Sequence, residues 1–100
     1  MDMNKMMKQA QKMQKDMEVA QQEVSGMTRT FTAGGMVTAV ATGDNDICEL
    51  TIDPAAIDPD DAEGLEDLVQ TAVNGALKEV QAAAGERLSA VTGGFSLPGM

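Results

Sequence analysis

The chain has 100 residues, with 16 acidic side chains against 7 basic ones and a formal net charge of −9. It has no histidine, the commonest general base and metal ligand, and its single cysteine excludes an internal disulfide. We therefore expect one small domain without enzymatic activity, cofactor, metal or small-molecule substrate. Cys48 is expected to be a small buried apolar residue in a reducing compartment.

The first segment predicts an amphipathic helix that ends at Gly26. Its apolar residues recur at alternating steps of three and four, which is the a and d spacing of a coiled-coil seam. These are Met3, Met6, Ala10, Met13, Met17, Ala20, Val24 and Met27. The lysines occupy the outward c and f positions of the same heptads: Lys5, Lys8, Lys12 and Lys15. The segment is too polar for a signal peptide, and no stretch approaches a membrane span. We expect a cytoplasmic protein with no membrane partner.

Three short strands are predicted next, over residues 27–33, 36–42 and 47–53. Glycine-containing turns separate them, and such short connections imply an antiparallel meander. Within the third strand, Cys48, Leu50 and Ile52 alternate with polar residues, so these three side chains are expected on one face.

A long second helix is predicted over roughly residues 59–91. Asp58 suits the N-cap, Pro59 suits the first helical position, and Gly93 with Gly94 marks the end. At about 1.5 Å per residue this helix would be about 50 Å long, too long for a small sheet to cover. Residues 1–92 are expected to form one domain, with 93–100 as a flexible tail.

The far half of this helix remains apolar and therefore needs another surface. A second copy of the chain is the simplest source of that surface, so we expect a homodimer. The predicted interface residues are Leu77, Val80, Ala84 and Leu88.

The lysines of the first helix have two interpretations. They are typical of the solvated face of a coiled coil, where Lys12 can pair with Asp16. However, residues 3–15 contain four lysines and no acid in an otherwise acidic chain, and a line of lysines can follow a phosphate backbone. The lack of stacking aromatics and of a recognition helix disfavours single-strand binding and base readout. Membrane-surface binding is a third option, although a packed seam is not free to insert.

Several segments together resemble the YbaB/EbfC family of bacterial nucleoid-associated proteins. They are "MMKQAQKMQKDM", "GGMVTAVATGD", "LTIDP" and "DPDDAEGLEDLVQTAVNGALKEVQ", in this order over nearly the whole chain. The resemblance implies an α+β fold of order α-β-β-β-α, with a three-stranded antiparallel sheet, a long C-terminal helix and a tweezer-like homodimer.

The same resemblance implies binding of double-stranded DNA at the nucleoid with little sequence specificity, and an effect on DNA conformation and gene expression. The implied DNA contacts are Lys5, Lys8, Lys12, Lys15 and Arg87. The alternative is a dimeric protein-interaction scaffold that does not bind DNA, in which the lysines only solubilise the chain and its Met/Ala surfaces or tail meet a protein partner.

Overall fold

Two helices and one three-stranded sheet form the main part of the chain that the structure describes. The computed structural model describes residues 2–92 and has the elements α1 (Met3–Ser25), β1 (Thr28–Ala33), β2 (Val37–Thr42), β3 (Ile47–Ile52) and α2 (Ala62–Thr92). The strands are antiparallel in the order β1-β2-β3. The predicted α-β-β-β-α order, the α+β class and the meander are confirmed. The predicted tail and the glycines at 93 and 94 lie outside the described residues.

Local hydrogen bonds fix both ends of α1. The Asp2 carboxylate accepts from the backbone amides of Asn4 at 3.1 Å and Lys5 at 3.3 Å, which satisfies two donors of the first turn. At the other end the Gly26 amide donates to the Gln22 carbonyl at 3.2 Å. The helix therefore ends at Gly26, as its sequence predicts.

A β-bulge in β3 changes which residues face the core. Ala41 pairs with Ile47 and Val40 pairs with Glu49, so Cys48 has no partner across the strand. Ile47 joins the core cluster, whereas Cys48 is exposed and its thiol donates to the Val40 carbonyl at 3.6 Å. The prediction of a buried Cys48 is wrong, because strict alternation assumes a strand without an extra residue.

The start of α2 also differs from its prediction. The Asp58 side chain accepts from the Asp60 amide at 2.9 Å, and its carbonyl accepts from the Asp61 amide at 2.9 Å. These bonds form a separate turn around Pro59. The helix begins at Ala62, and the Asp61 carboxylate accepts from the Gly64 amide at 3.1 Å in the manner of an N-cap. Asp58 and Pro59 therefore lie before the helix. A short 3-10 helix at Pro54–Ala56 was not predicted.

The core consists of small side chains between α2 and the sheet. Its fully buried members are Val37, Ala39, Ala41, Ala72, Ala76 and Val80, and Ala33 is nearly as buried. Small residues on both surfaces let the helix lie close to the sheet. Phe31 of β1 lies against Gly75, where an added methyl group would be 2.5 Å from the ring. Gly75 therefore makes room for the aromatic ring.

The far half of α2 packs against α1. Ala20 and Val24 are buried, and Arg87 of α2 pairs with Glu23 of α1. The long helix does extend past its own sheet, as its length predicts, but α1 supplies part of the missing surface. The resulting molecule is elongated, at 72 × 28 × 15 Å.

Two glycines of α2 provide a matched test of the packing between Phe31 and Gly75. Alanine is favoured over glycine in a helix by about 1 kcal/mol, but overpacking typically costs about 1–3 kcal/mol. We expect Gly75→Ala to lower the melting temperature, because the ring contact outweighs the helix preference. Gly85→Ala should raise it, because no described atom lies within 4 Å of that methyl position. Thermal unfolding checks both, and stabilisation by both variants would contradict the packing described.

Candidate nucleic-acid interface

The N-terminal half of α1 projects as an exposed helical arm. We define the lysine arm as residues 3–15. All residues from 3 to 12 are exposed, whereas Ala20 and Val24 further along the same helix are buried. Ala90 and Val91, in the last described turn of α2, lie beside Asp16. The arm therefore begins where the described contact between the two helices ends.

The lysines form one stripe along this arm. The members are Lys5, Lys8, Lys12 and Lys15, and all four are exposed. At about 100° and 1.5 Å per residue, their spacing places them within a sector of about 80° and over about 15 Å of helix. The apolar stripe of Met3, Met6, Ala10 and Met13 has its centre about 160° away on the same helix. Charge and apolar surface thus occupy opposite faces of the arm.

The charge of the lysine stripe is not neutralised by neighbouring acids. Residues 3–15 contain no acid, and within residues 2–92 the ion pair found is the one between Arg87 and Glu23. The pairing of Lys12 with Asp16 that the sequence allows is therefore not formed. Four positive charges face solvent on one side of a chain whose net charge is −9. Such a stripe attracts anions to the arm and not to the body.

Arg87 lies at the base of the arm. Its Nε donates to Glu23 Oε2 at 2.5 Å, which ties α2 to α1. This hydrogen bond and the guanidinium charge lower the pKa of the Glu23 carboxyl. Glu23, together with the charge of Asp16, raises the pKa of Arg87. Arg87 is thus already matched by carboxylates, and a contact with DNA stays a prediction for this residue.

The predicted interface residues of α2 fall into two groups. Leu77, Ala84 and Leu88 are half-buried and follow one side of the helix, which we call the lateral strip. Val80 is fully buried in the core of the protomer. A place for Val80 in a dimer interface, like that of the other three residues, stays a prediction. Helical spacing identifies an apolar row but does not separate its buried centre from its exposed side.

Two further apolar residues are more exposed than the sequence indicates. Leu50 pairs with the buried Ala39, so it lies on the sheet face that α2 covers, yet it is 44% exposed. Ile57, after the short 3-10 helix, is 56% exposed. The alternation in β3 placed Leu50 and Ile52 on one face, and the structure shows that this is the face paired with the buried Ala39 and Val37. The alternation could not show that α2 packs mainly on β1 and β2.

Other kinds of site find no support in the part of the chain that the structure describes. Residues 2–92 hold no group of three or more acidic, cysteine or histidine side chains arranged for a metal ion. Neither described helix combines the length and apolarity needed to cross a bilayer.

Comparison with known proteins identifies the family. A model of the YbaB/EbfC DNA-binding family matches residues 1–95. The chain belongs to the YbaB/EbfC family. This confirms the resemblance found in its sequence segments and places it among nucleoid-associated DNA-binding proteins.

Individual relatives match this chain over almost its full length. The chain is 50% identical to a nucleoid-associated protein of Ruminiclostridium cellulolyticum, covering 99% of this chain and 88% of that protein. It is 49% identical to one from Desulforamulus reducens, covering 99% and 95%. A solved structure, the uncharacterized protein HP0035 from Helicobacter pylori, superimposes with a TM-score of 0.69. At 22% identity, over 86% of this chain and 91% of that one, it shares the YbaB/EbfC fold.

The ion pair at the base of the arm predicts a pH dependence of stability. Because the folded state lowers the pKa of Glu23, its contribution is complete above the ordinary glutamate pKa of about 4.3 and is lost as the pH falls through the folded value. We expect wild type to melt above Glu23→Gln at pH 7, and the gap to close as the pH falls below about 4. Glu18→Gln, an exposed change on the same helix, is the control. A gap that does not change with pH would contradict this role.

Proposed function

We propose that this protein binds duplex DNA through the phosphate backbone, using the stripe of lysines on the lysine arm. The observation that carries the proposal is a set of four exposed lysines on one face of a helix segment without acids. Membership of a DNA-binding family supports the choice of DNA as the anion. By analogy with its named relatives, the protein acts at the nucleoid in the cytoplasm.

The arm fits a phosphate backbone better than base edges. Its charges span about 15 Å, and duplex DNA presents about one phosphate charge per 1.7 Å of axis. Phosphate contacts carry no sequence information, so little sequence preference is expected. The acidic body repels the duplex, which confines contact to the arm and makes binding sensitive to salt. Contacts along a rigid helix supply a means to alter DNA conformation and gene expression.

We further propose that the functional unit is a homodimer that buries the lateral strip. Leu77, Ala84 and Leu88 are half-buried on one side of α2, and Leu50 exposes 44% of its surface on the α2 side of the sheet. A second protomer would cover this apolar surface. A core built from alanine and valine gives a single protomer limited stabilisation, which increases the need for such burial.

A dimeric interaction scaffold is the second candidate function. The methionine face of the arm favours it, because Met3 is 73% exposed and Met6 is 56% exposed. In that case the lysines would only solubilise the arm, and the protein would show no salt-sensitive binding to duplex DNA.

Removal of the arm charge tests DNA binding. We expect the combined change of Lys5, Lys8, Lys12 and Lys15 to Gln to abolish most duplex binding for all sequences alike, while helix content and melting temperature stay nearly unchanged. Wild type should show a slope of log K against log salt no steeper than about −7, from eight lysines per dimer at about −0.9 each. Fluorescence anisotropy with unrelated duplexes measures both. If the Gln variant binds as well as wild type, the lysine stripe is not the DNA-binding face.

Two controls separate local charge from total charge. Lys8→Gln with Lys12→Gln and, separately, Gln70→Glu with Gln81→Glu each lower the net charge by two, from −9 to −11. Gln70 and Gln81 are exposed on α2. If the arm is the interface, the lysine pair should weaken binding much more than the glutamine pair. Changing all four arm lysines to arginine should preserve binding, because every charge is kept.

The contrast between Leu77 and Val80 tests the homodimer. Leu77→Asp places a charge on the half-buried lateral strip, so we expect a folded protein that dissociates into monomers. Val80→Asp places an unpaired charge in the core of one protomer, so we expect loss of the fold. Analytical ultracentrifugation and circular dichroism distinguish the two results. A folded wild-type monomer at micromolar concentration would contradict the dimer.

A further inference from the structure

The methionine face of the lysine arm has the spacing of a helix-packing surface. Met3, Met6 and Met7 are 73%, 56% and 58% exposed. The same seam continues into Ala20 and Val24, which are buried on the half of α1 that packs mainly against α2. The buried half of the seam therefore packs against another helix, and the exposed half is suited to the same kind of partner. The exposed half has the same 3-4 spacing and lies beyond the described contact with α2.

The residues beside this seam indicate which helix can cover it. In a coiled coil the e and g positions flank the seam and set the choice of partner through their charges. Within the lysine arm these flanks are Met7, Gln9 and Gln14, which are uncharged. Asp16, the next flanking position, lies just beyond the arm. The lysines occupy c and f on the far side. Two identical arms can therefore meet seam to seam without repulsion at the flanks, whereas an acidic partner helix would find no lysine there to pair with.

A membrane surface fits this arrangement less well. Lysines that contact lipid headgroups lie at the borders of the apolar face, from which they reach the interface. Here the centre of the lysine stripe is about 160° around the helix from that of the methionine stripe. A bilayer that held the methionines would leave the lysines pointing into water.

We propose that the methionine faces of two lysine arms, from two copies of the chain, pack against each other along Met3, Met6, Ala10 and Met13. The pair then carries two lysine stripes on opposite outer faces, about 20 Å apart across two helices of about 10 Å diameter. The pairing is independent of DNA. Its consequence rests on the proposed function. If each lysine stripe contacts the phosphate backbone of a different duplex, one pair of arms joins two duplexes.

The strength of this pairing depends on local concentration. Two heptads make a short seam, and helices of this length are marginal alone. Because the two lysine stripes are about 20 Å apart, repulsion between them is largely screened at 0.1 M salt. Arms should therefore pair weakly in free protein and more strongly where duplex DNA raises their local concentration.

Disulfide trapping in the full chain tests the pairing directly. In a parallel pair Ala10 meets its own counterpart. In an antiparallel pair along Met3, Met6, Ala10 and Met13, it meets Met6 of the other arm. A disulfide needs Cα atoms about 4.4–6.8 Å apart, which seam positions reach and outer positions do not. In a Cys48→Ser background, Ala10→Cys, alone or mixed with Met6→Cys, should form cross-linked chains severalfold faster than Gln11→Cys under the same mild oxidant. Equal rates for the seam cysteines and for Gln11→Cys would overturn the proposal.

A second set of variants separates arm pairing from DNA binding. Met6→Gln with Met13→Gln, added to the Ala10→Cys chain, should slow cross-linking severalfold and abolish co-capture of a second duplex by a bead-bound duplex, while binding to one duplex persists. Adding the Gln variant of the four arm lysines should leave DNA-free cross-linking intact, even though duplex binding is lost. Undiminished duplex joining by the methionine variant would overturn the proposal. So would a methionine variant that cross-links normally but no longer binds vesicles of anionic phospholipid, because the stripe would then be a membrane face.

Discussion

The contact between the second half of α1 and the far half of α2 determines how charge and apolar surface are presented. Ala20 and Val24 are the buried residues of that half of α1. The ion pair between Glu23 and Arg87 links the two helices close to these residues. Because an α-helix is stiff, anchoring one half also fixes the direction of the other. The arm is therefore held away from the sheet without a contact of its own in residues 3–12, all of which are exposed.

This anchoring explains how an acidic protein can belong to a DNA-binding family. Charges more than about 10 Å apart are largely screened at 0.1 M salt, so a local cluster matters more than the net charge. The arm holds its lysines at a distance from most of the carboxylates of the body. The arm therefore retains a positive surface although the body of the protein is acidic.

Much of the fold could be predicted from the sequence because its elements have regular apolar spacing and are clearly separated. Seam spacing, glycine turns and alternation identified the two helices and three strands to within a few residues. The errors arose where a tertiary contact or an extra residue decides the outcome. The bulge at Cys48 and the use of Asp61 in place of Asp58 at the start of α2 both depend on neighbours that periodicity does not reveal.

The lysine stripe of the candidate site could be predicted from the sequence, but the contacts around it could not. The lysine stripe follows directly from heptad positions, and its exposure agrees with them. The carboxylate partner of Arg87 lies 64 residues away in the sequence, so no local pattern could identify it. The sequence also left open whether the methionine seam is packed along its whole length. Only the position of α2 divides it into a covered half and an exposed half.

The bulge in β3 has a consequence for the behaviour of the protein at high concentration. β3 is an edge strand, and a regular edge offers a row of unpaired amides and carbonyls to any other strand. The extra residue at Cys48 interrupts that row, and the neighbouring Glu49 places a charge beside it. Open-ended addition of strands, the route to amyloid-like aggregation, is thereby disfavoured.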